Sequence, residues 1–163
     1  MKTTSSMLAL VFSAAMLAPA AQAHVTLEQS TGLAGSFQKL SFRVGHGCDG
    51  TATKGLTVSL PEGATNAKPM PKAGWKINVG TNGGVQEISW KGGPLPDAYF
   101  DEFVVQVKLT SQPGKLYFRV VQQCDKVSVA WDEIPGDSAV KLKAPAPVLE
   151  VLPAPSGTDL RQH

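Results

Sequence analysis

The feature of this chain that most constrains its fold is a two-residue alternation of apolar and polar side chains, which recurs along most of its length. Successive side chains of a β-strand point to opposite faces, so the alternation predicts strands that bury one face. Segments rich in glycine and proline, such as "LPEGA", "TNGG", "KGGPLPD" and "SQPGK", separate the alternating runs. Short strands bounded in this way predict an all-β fold, a single antiparallel β-sandwich of immunoglobulin-like or cupredoxin-like kind. The alternating positions are Leu40, Phe42 and Val44; Leu56, Val58 and Leu60; Trp75, Ile77 and Val79; Phe103, Val105, Val107 and Leu109; Leu116, Phe118, Val120 and Gln122; and Val127, Val129 and Trp131, with a last strand around Val148 to Leu152.

The beginning of the chain has the pattern of a secretory signal peptide. Lys2 precedes the apolar stretch "MLALVFSAAMLAPA", which ends in the small-residue cleavage pattern "AQA". The apolar stretch is too short, and its flanks are wrong, for a membrane-spanning helix. We expect cleavage between Ala23 and His24, export to the periplasm or secretion, and a mature protein whose first residue is His24.

The rest of the chain predicts one domain over residues 24–153 and a disordered tail over residues 154–163. Removing the signal peptide removes Lys2 and lowers the formal net charge from +2 to +1. Such a near-neutral balance gives no electrostatic reason to expect binding to nucleic acid or to an anionic membrane. No later apolar run is long enough to span a bilayer, so no membrane anchor is expected.

The sequence contains two cysteines, Cys48 and Cys124. In an oxidising compartment an even pair predicts a disulfide. Closing a loop of about 76 residues would stabilise the fold by roughly 4 kcal/mol on the chain-entropy account. The alternative is a pair of thiolate metal ligands or a redox couple, but the two residues lack the C-x-x-C spacing.

An N-terminal histidine has a property that no internal histidine shares. Its free α-amine and its Nδ1 atom can close a six-membered chelate ring on one metal ion. The reference pKa is near 7.7–8.0 for an α-amine and near 6.5 for an imidazole, so a metal can displace the amine proton close to neutral pH. Nitrogen donors favour copper among the divalent first-row metals, and Cu(II) accepts tetragonal sites. His24 is therefore a candidate copper ligand, unless signal peptidase cuts before a histidine by coincidence.

Several short segments carry a resemblance to a known family. They are "HVTLEQ", "FRVGHGCDG", "LPEG", "KPMPKAGWKI", "ISWKGGPLPDAYFDEF", "LYFRVVQQC" and "WDEIP", and they extend over most of residues 24 to 135. Through these segments the chain resembles the YcnI family of exported copper-binding proteins. The resemblance implies a β-sandwich that binds Cu(II), and also Cu(I), in a "monohistidine brace" at the N-terminal histidine. It further implies a carboxylate ligand, a tryptophan near the metal, and other copper-trafficking proteins of the periplasm or inner membrane as partners.

For the carboxylate ligand we favour Glu102, which lies in the recognisable stretch "YFDEF". On a strand whose apolar row begins at Phe103, Glu102 points away from that row. A charge on a solvated outer face explains Glu102 equally well. The alternative oxygen ligands are Asp101 and Glu28.

For the tryptophan near the metal we favour Trp131, in "AWDEIP". Its alternation with Val127 and Val129 also fits ordinary packing in the core. Trp75 and Trp90 are expected to be core or edge aromatics. An indole beside copper could stabilise Cu(I) by a cation–π contact or act as an electron donor.

The leading hypothesis is a copper chaperone or buffer that exchanges ligands with a partner and is not an enzyme. A copper-dependent oxidoreductase of the N-terminal-histidine type is an alternative, and it would need a second imidazole, which only His46 could supply. His46 is instead expected to be a loop residue. A metal-free immunoglobulin-like interaction module is the third hypothesis. A serine hydrolase is excluded because the chain has no G-x-S-x-G motif.

Overall fold

The structure is a computed structural model that describes residues 24–136 and 141–155. The predicted signal peptide and residues 156–163 of the predicted tail lie outside the described residues. Within them the chain forms twelve β-strands and no helix. The strands are β1 (Thr26–Leu27), β2 (Thr31–Leu33), β3 (Phe37–Val44), β4 (Thr53–Ser59), β5 (Ala64–Pro69), β6 (Trp75–Asn82), β7 (Val85–Leu95), β8 (Asp101–Leu109), β9 (Gly114–Tyr117), β10 (Arg119–Cys124), β11 (Ser128–Trp131) and β12 (Val148–Leu152).

Two antiparallel sheets build the sandwich. The first has the order β1-β3-β8-β5, and the second has the order β11-β10-β4-β7-β6. The alternating apolar positions of β3, β4 and β8 are buried, as the sequence predicted. Burial of these rows supplies the main driving force for folding, because each fully buried aliphatic or aromatic side chain contributes about 1.5–3 kcal/mol.

Aromatic contacts join the two sheets across the core. Phe103 of β8 meets the edges of Trp90 and Trp75 from the second sheet, with ring centroids 5.6 and 4.9 Å apart. Phe42 of β3 packs against Phe118 at 5.5 Å. These separations fall in the range that favours edge-to-face aromatic pairs. The predicted all-β sandwich is therefore confirmed.

A third sheet, with the order β2-β12-β9, adds Leu149 and Val151 to the same core. It includes a parallel pairing of β12 with β2, which the antiparallel prediction did not contain. β12 begins and ends where the sequence predicted, at Val148 and Leu152.

The predicted strand from Leu116 to Gln122 is divided in the structure. β9 pairs with β12 in the third sheet, whereas β10 pairs with β4 in the second sheet. Phe118 lies between them and donates its backbone N–H to the Pro147 carbonyl oxygen at 2.8 Å. The chain therefore passes from the third sheet to the second at Phe118. This buried residue keeps the two-residue alternation of inward-facing side chains unbroken.

β7 was not among the predicted strands, and it continues into the "KGGPLPD" segment that was predicted to be a break. Gly92 and Gly93 take φ angles of 126° and 84°, which glycine adopts without a Cβ clash. The pairing of β7 with β4 shifts register in this region, as at a β-bulge.

None of the described residues belongs to a helix that is long and apolar enough to cross a membrane.

Candidate metal site

The candidate site lies where one edge of each sheet comes together. His24 lies two residues before β1 at the edge of the first sheet, and Trp131 ends β11 at the edge of the second sheet. Their ring centroids are 5.5 Å apart and the ring planes are tilted by 51°. The structure therefore brings together His24 and the tryptophan that the sequence favoured.

The sequence places both residues at these edges for simple reasons. Val25 is buried and anchors the start of the chain, while Thr26 pairs with Arg43 on β3. The adjacent His24 side chain is not buried with Val25, and its ring remains half-buried. Trp131 is only 6% exposed, so it is both a core residue and a contact of His24.

The buried side chain of Gln122 binds the indole N–H of Trp131. Gln122 accepts a hydrogen bond from Trp131 Nε1 at 3.2 Å through its Oε1 atom. Its Nε2 atom donates to the His46 carbonyl oxygen at 2.9 Å and to Thr53 Oγ1 at 2.8 Å. Trp131 is thereby connected to the loop that follows β3.

His46 lies in that loop, as expected. Its Nδ1 atom is 2.7 Å from the Gly47 carbonyl oxygen and 3.9 Å from Asp97 Oδ1. The same Asp97 oxygen accepts the Gly47 N–H at 2.9 Å. These contacts hold the loop in place next to the candidate site.

The predicted disulfide is confirmed. Cys48 and Cys124 are joined with their Cα atoms 5.9 Å apart. Cys48 begins a tight turn in which Asp49 and Gly50 both take positive φ and Thr51 closes the turn by backbone hydrogen bonds to Cys48. An Asp-Gly pair suits such a turn, because these residues tolerate positive φ. The disulfide ties the His46 loop to β10 two residues after Gln122.

The favoured carboxylate is engaged elsewhere. Glu102 lies on the outer face of β8, as predicted, and accepts a hydrogen bond from Arg43 Nη2 at 3.0 Å. The Arg43 guanidinium holds the pKa of the Glu102 carboxyl below its usual range. In the ladder, Thr26, Arg43 and Glu102 form one row, so Arg43 stands between Glu102 and the strand that follows His24.

The other two candidate oxygens also have contacts. Asp101 forms an ion pair with Lys72 at 2.6 Å and accepts the Glu102 N–H at 2.8 Å. Glu28 accepts a hydrogen bond from Gln29 at 3.2 Å. Among the described residues, none of these hydrogen bonds or ion pairs joins a candidate carboxylate to His24. The same residues contain no group of three histidine, cysteine or acidic side chains arranged to hold a metal. The identity of the carboxylate ligand stays a prediction.

The nitrogen donors available at His24 suit copper. Once the chain begins at His24, its α-amine and ring offer a nitrogen pair of the kind that Cu(II) prefers. The Trp131 indole lies beside the His24 ring, with the two ring centroids 5.5 Å apart, so an aromatic surface is available next to this donor pair.

The fold and the site define an immunoglobulin-like β-sandwich domain with a histidine–tryptophan contact at its N-terminal edge. The chain belongs to the family described as Domain of unknown function (DUF1775), which matches residues 24–151. This is the family to which the YcnI resemblance points.

One solved structure supports the immunoglobulin-like fold. The chain is similar to an uncharacterized protein from Nocardia farcinica whose crystal structure reveals an immunoglobulin-like fold, with 27% identity and a TM-score of 0.68. That match covers 78% of this chain and 97% of that chain. A non-cellulosomal cohesin from the archaeon Archaeoglobus fulgidus matches at 13% identity and a TM-score of 0.49, covering 81% of this chain and 92% of the cohesin. No curated protein matches the chain.

Sequence reasoning missed the role of Gln122. It was placed in a predicted strand, at an inward position after Leu116, Phe118 and Val120. A polar side chain at an inward position is expected to have buried hydrogen-bond partners. The inward position of this polar residue was therefore the sequence signal for buried hydrogen-bond partners. Which residues those partners are depends on contacts between distant segments of the chain.

Proposed function

We propose that the protein is exported, cleaved between Ala23 and His24, and binds copper as a trafficking protein or buffer. Cu(II) is held by the α-amine and the Nδ1 atom of His24, with Glu102 as the favoured carboxylate donor. Trp131 lies beside the metal and favours Cu(I) through its ring. The protein is not an enzyme, and it exchanges copper with other copper-trafficking proteins of the periplasm or inner membrane.

The observation that carries this proposal is the contact between His24 and Trp131. The two residues are far apart in sequence, His24 just before the first sheet and Trp131 in the second, yet their ring centroids are 5.5 Å apart. The indole N–H is already bonded to Gln122, so the ring surface is what the tryptophan offers to its neighbour. This arrangement supports a site in which one imidazole binds the metal and one aromatic ring covers it.

Ligand exchange follows from the exposure of the site. The His24 ring is half-buried at a sheet edge, which leaves an approach for a partner's ligands. Arg43 Nη2 lies 3.0 Å from Glu102 Oε1, so the guanidinium competes with copper for this carboxylate. Copper is the cargo of this exchange, and the chain supplies binding and orientation.

Electron paramagnetic resonance during a Cu(II) titration tests the proposal. Protein that begins at His24 should bind one Cu(II) per chain and give a tetragonal signal with coupling to one imidazole. His24→Ala should abolish that signal, whereas His46→Gln should retain it. Coupling to two distinct imidazoles would favour the oxidoreductase, and absence of binding would favour the metal-free module; either result contradicts the proposal.

A further inference from the structure

Gln122 is a deeply buried polar side chain that is hydrogen-bonded to Trp131 of the candidate site. It is 1% exposed and lies on β10, with its side chain in the core beside Trp131. It uses both donors and one acceptor: Oε1 accepts from Trp131, and Nε2 donates to the His46 carbonyl and to Thr53. Thr53 is itself fully buried.

The orientation of this amide follows from its partners. An indole N–H can only donate, so Oε1 must face Trp131. A backbone carbonyl can only accept, so Nε2 must face His46. Rotating the amide by 180° would place Nε2 against the Trp131 N–H, so that two donors face each other. It would also place Oε1 against the His46 carbonyl oxygen, so that two acceptors face each other. Gln122 therefore has one orientation in the folded protein.

The orientation of Gln122 determines that of the indole. Trp131 has a single polar atom, Nε1, and turning the ring over would leave a buried donor without its acceptor. With Nε1 fixed on Gln122, the ring is presented to His24 at 5.5 Å and a tilt of 51°. The same amide bonds the His46 carbonyl, so the loop after β3 and the indole are aligned by one side chain.

We propose that Gln122 is the positioning residue of the candidate site, which sets the Trp131 indole against the His24 ring. Its influence on copper rests on the proposed function, whereas its influence on the two rings does not require copper. Gln122 acts through Trp131, whose indole N–H donates to it.

Proton NMR of the metal-free protein that begins at His24 tests the positioning directly. The ring current of Trp131 shifts the His24 ring protons away from their ordinary resonances. Gln122→Met removes the acceptor at similar volume and should return these resonances most of the way to their ordinary positions. Gln123→Met is the matched control, because it changes the neighbouring glutamine of β10, which faces the other side of the strand, and it should leave the shifts unchanged.

The second measurement is the loss of tryptophan fluorescence when Cu(II) is added. In Gln122→Met the loss of tryptophan emission on Cu(II) addition should fall to about half of the wild-type value or less, and in Gln123→Met it should not change. In a Trp131→Phe background, Gln122→Met should have no further effect on Cu(II) affinity, since the two residues act as one unit. A similar effect of Gln122→Met in both backgrounds would overturn the proposal.

The outcomes separate the two claims. Retention of the His24 ring shifts in folded Gln122→Met overturns the positioning role whether or not the wild type binds copper. Absence of copper binding in the wild type overturns the proposed function and leaves the NMR result to decide the positioning role. If Gln122→Met does not fold, hydrogen exchange of the wild-type indoles decides: the Trp131 N–H should exchange much more slowly than that of Trp75, and equal rates overturn the proposal.

Discussion

At the scale of single residues, the contact between His24 and Trp131 is the central feature of the candidate site. Trp131 is buried enough to be a core residue, yet one part of its ring meets a histidine at the sheet edge. The other two tryptophans, Trp75 and Trp90, both pack on Phe103 instead. The three indoles therefore report on different parts of the molecule.

This difference predicts the outcome of tryptophan fluorescence. Paramagnetic Cu(II) quenches nearby indole emission, so Trp131→Phe should remove most of the copper-dependent loss of emission. Trp75→Phe and Trp90→Phe are the matched controls and should leave most of it. The replacement keeps an aromatic ring in the core, so each variant should fold. Quenching that disappears with Trp75 or Trp90 would place the metal elsewhere.

The ion pair between Arg43 and Glu102 makes a second prediction at this scale. Arg43→Gln should strengthen Cu(II) binding severalfold if Glu102 is the carboxylate donor, because the metal no longer competes with the guanidinium. Lys54→Gln, which breaks the similarly exposed pair with Asp125, is the control and should have no effect. A competition titration with a Cu(II) chelator measures both. Unchanged or weaker Cu(II) binding in Arg43→Gln would contradict Glu102 as the carboxylate donor.

The same variant has a predictable effect on stability. The folded-state pKa of Glu102 is lowered by Arg43, so the pair stabilises the fold above the unfolded-state pKa, and this contribution is lost as the pH falls through the folded-state pKa. Arg43→Gln should therefore reduce the free energy of unfolding at pH 7 by at most about 1 kcal/mol, since the pair is exposed. Urea unfolding should show that the difference vanishes in acid, and a difference that grows in acid would contradict the assignment.

At the scale of elements, the loop between β3 and β4 joins the site to the disulfide. It carries His46, whose carbonyl bonds Gln122, and it enters the tight turn at Cys48. Gly47 has no room for a side chain, because a Cβ atom there would overlap the Thr51 carbonyl oxygen. Gly45, two residues earlier, has open space at the same position.

These two glycines form a matched pair for a stability test. Gly47→Ala should destabilise the fold by about 1–3 kcal/mol, because the backbone of the turn must shift. Gly45→Ala should have a much smaller effect. For a domain of this size, thermal unfolding should show a fall of several degrees in the melting temperature for Gly47→Ala. Equal melting temperatures for the two variants would contradict the packing of this loop.

At the scale of the whole molecule, most of the fold was predictable because the inward rows alternate over many residues. β1 and β2 were not predicted, since two or three residues are too few to show a period. The change of sheet at Phe118 was hidden because the alternation continues through it, and alternation does not reveal which sheet a strand joins.

The site was less predictable than the fold. His24 was identified from the chemistry of an N-terminal histidine, whereas Trp131 came from a family resemblance, since no local pattern connects residues so distant in sequence. The Arg43–Glu102 pair depends on the register of β3 against β8. That register is fixed by the whole sandwich, so the competition for the carboxylate was not visible in the sequence.

The central claim is that copper binds at a free N-terminal histidine, and a comparison of two proteins tests it most directly. One begins at His24, and the other retains residues 20–23, so that the same imidazole is present but the α-amine lies outside the chelate ring. We predict one Cu(II) per chain in the first. In the second we predict an affinity lower by at least about tenfold, or about 1.4 kcal/mol of binding free energy, because the α-amine donor is lost from the chelate ring. Equal Cu(II) affinities in the two proteins would contradict the account.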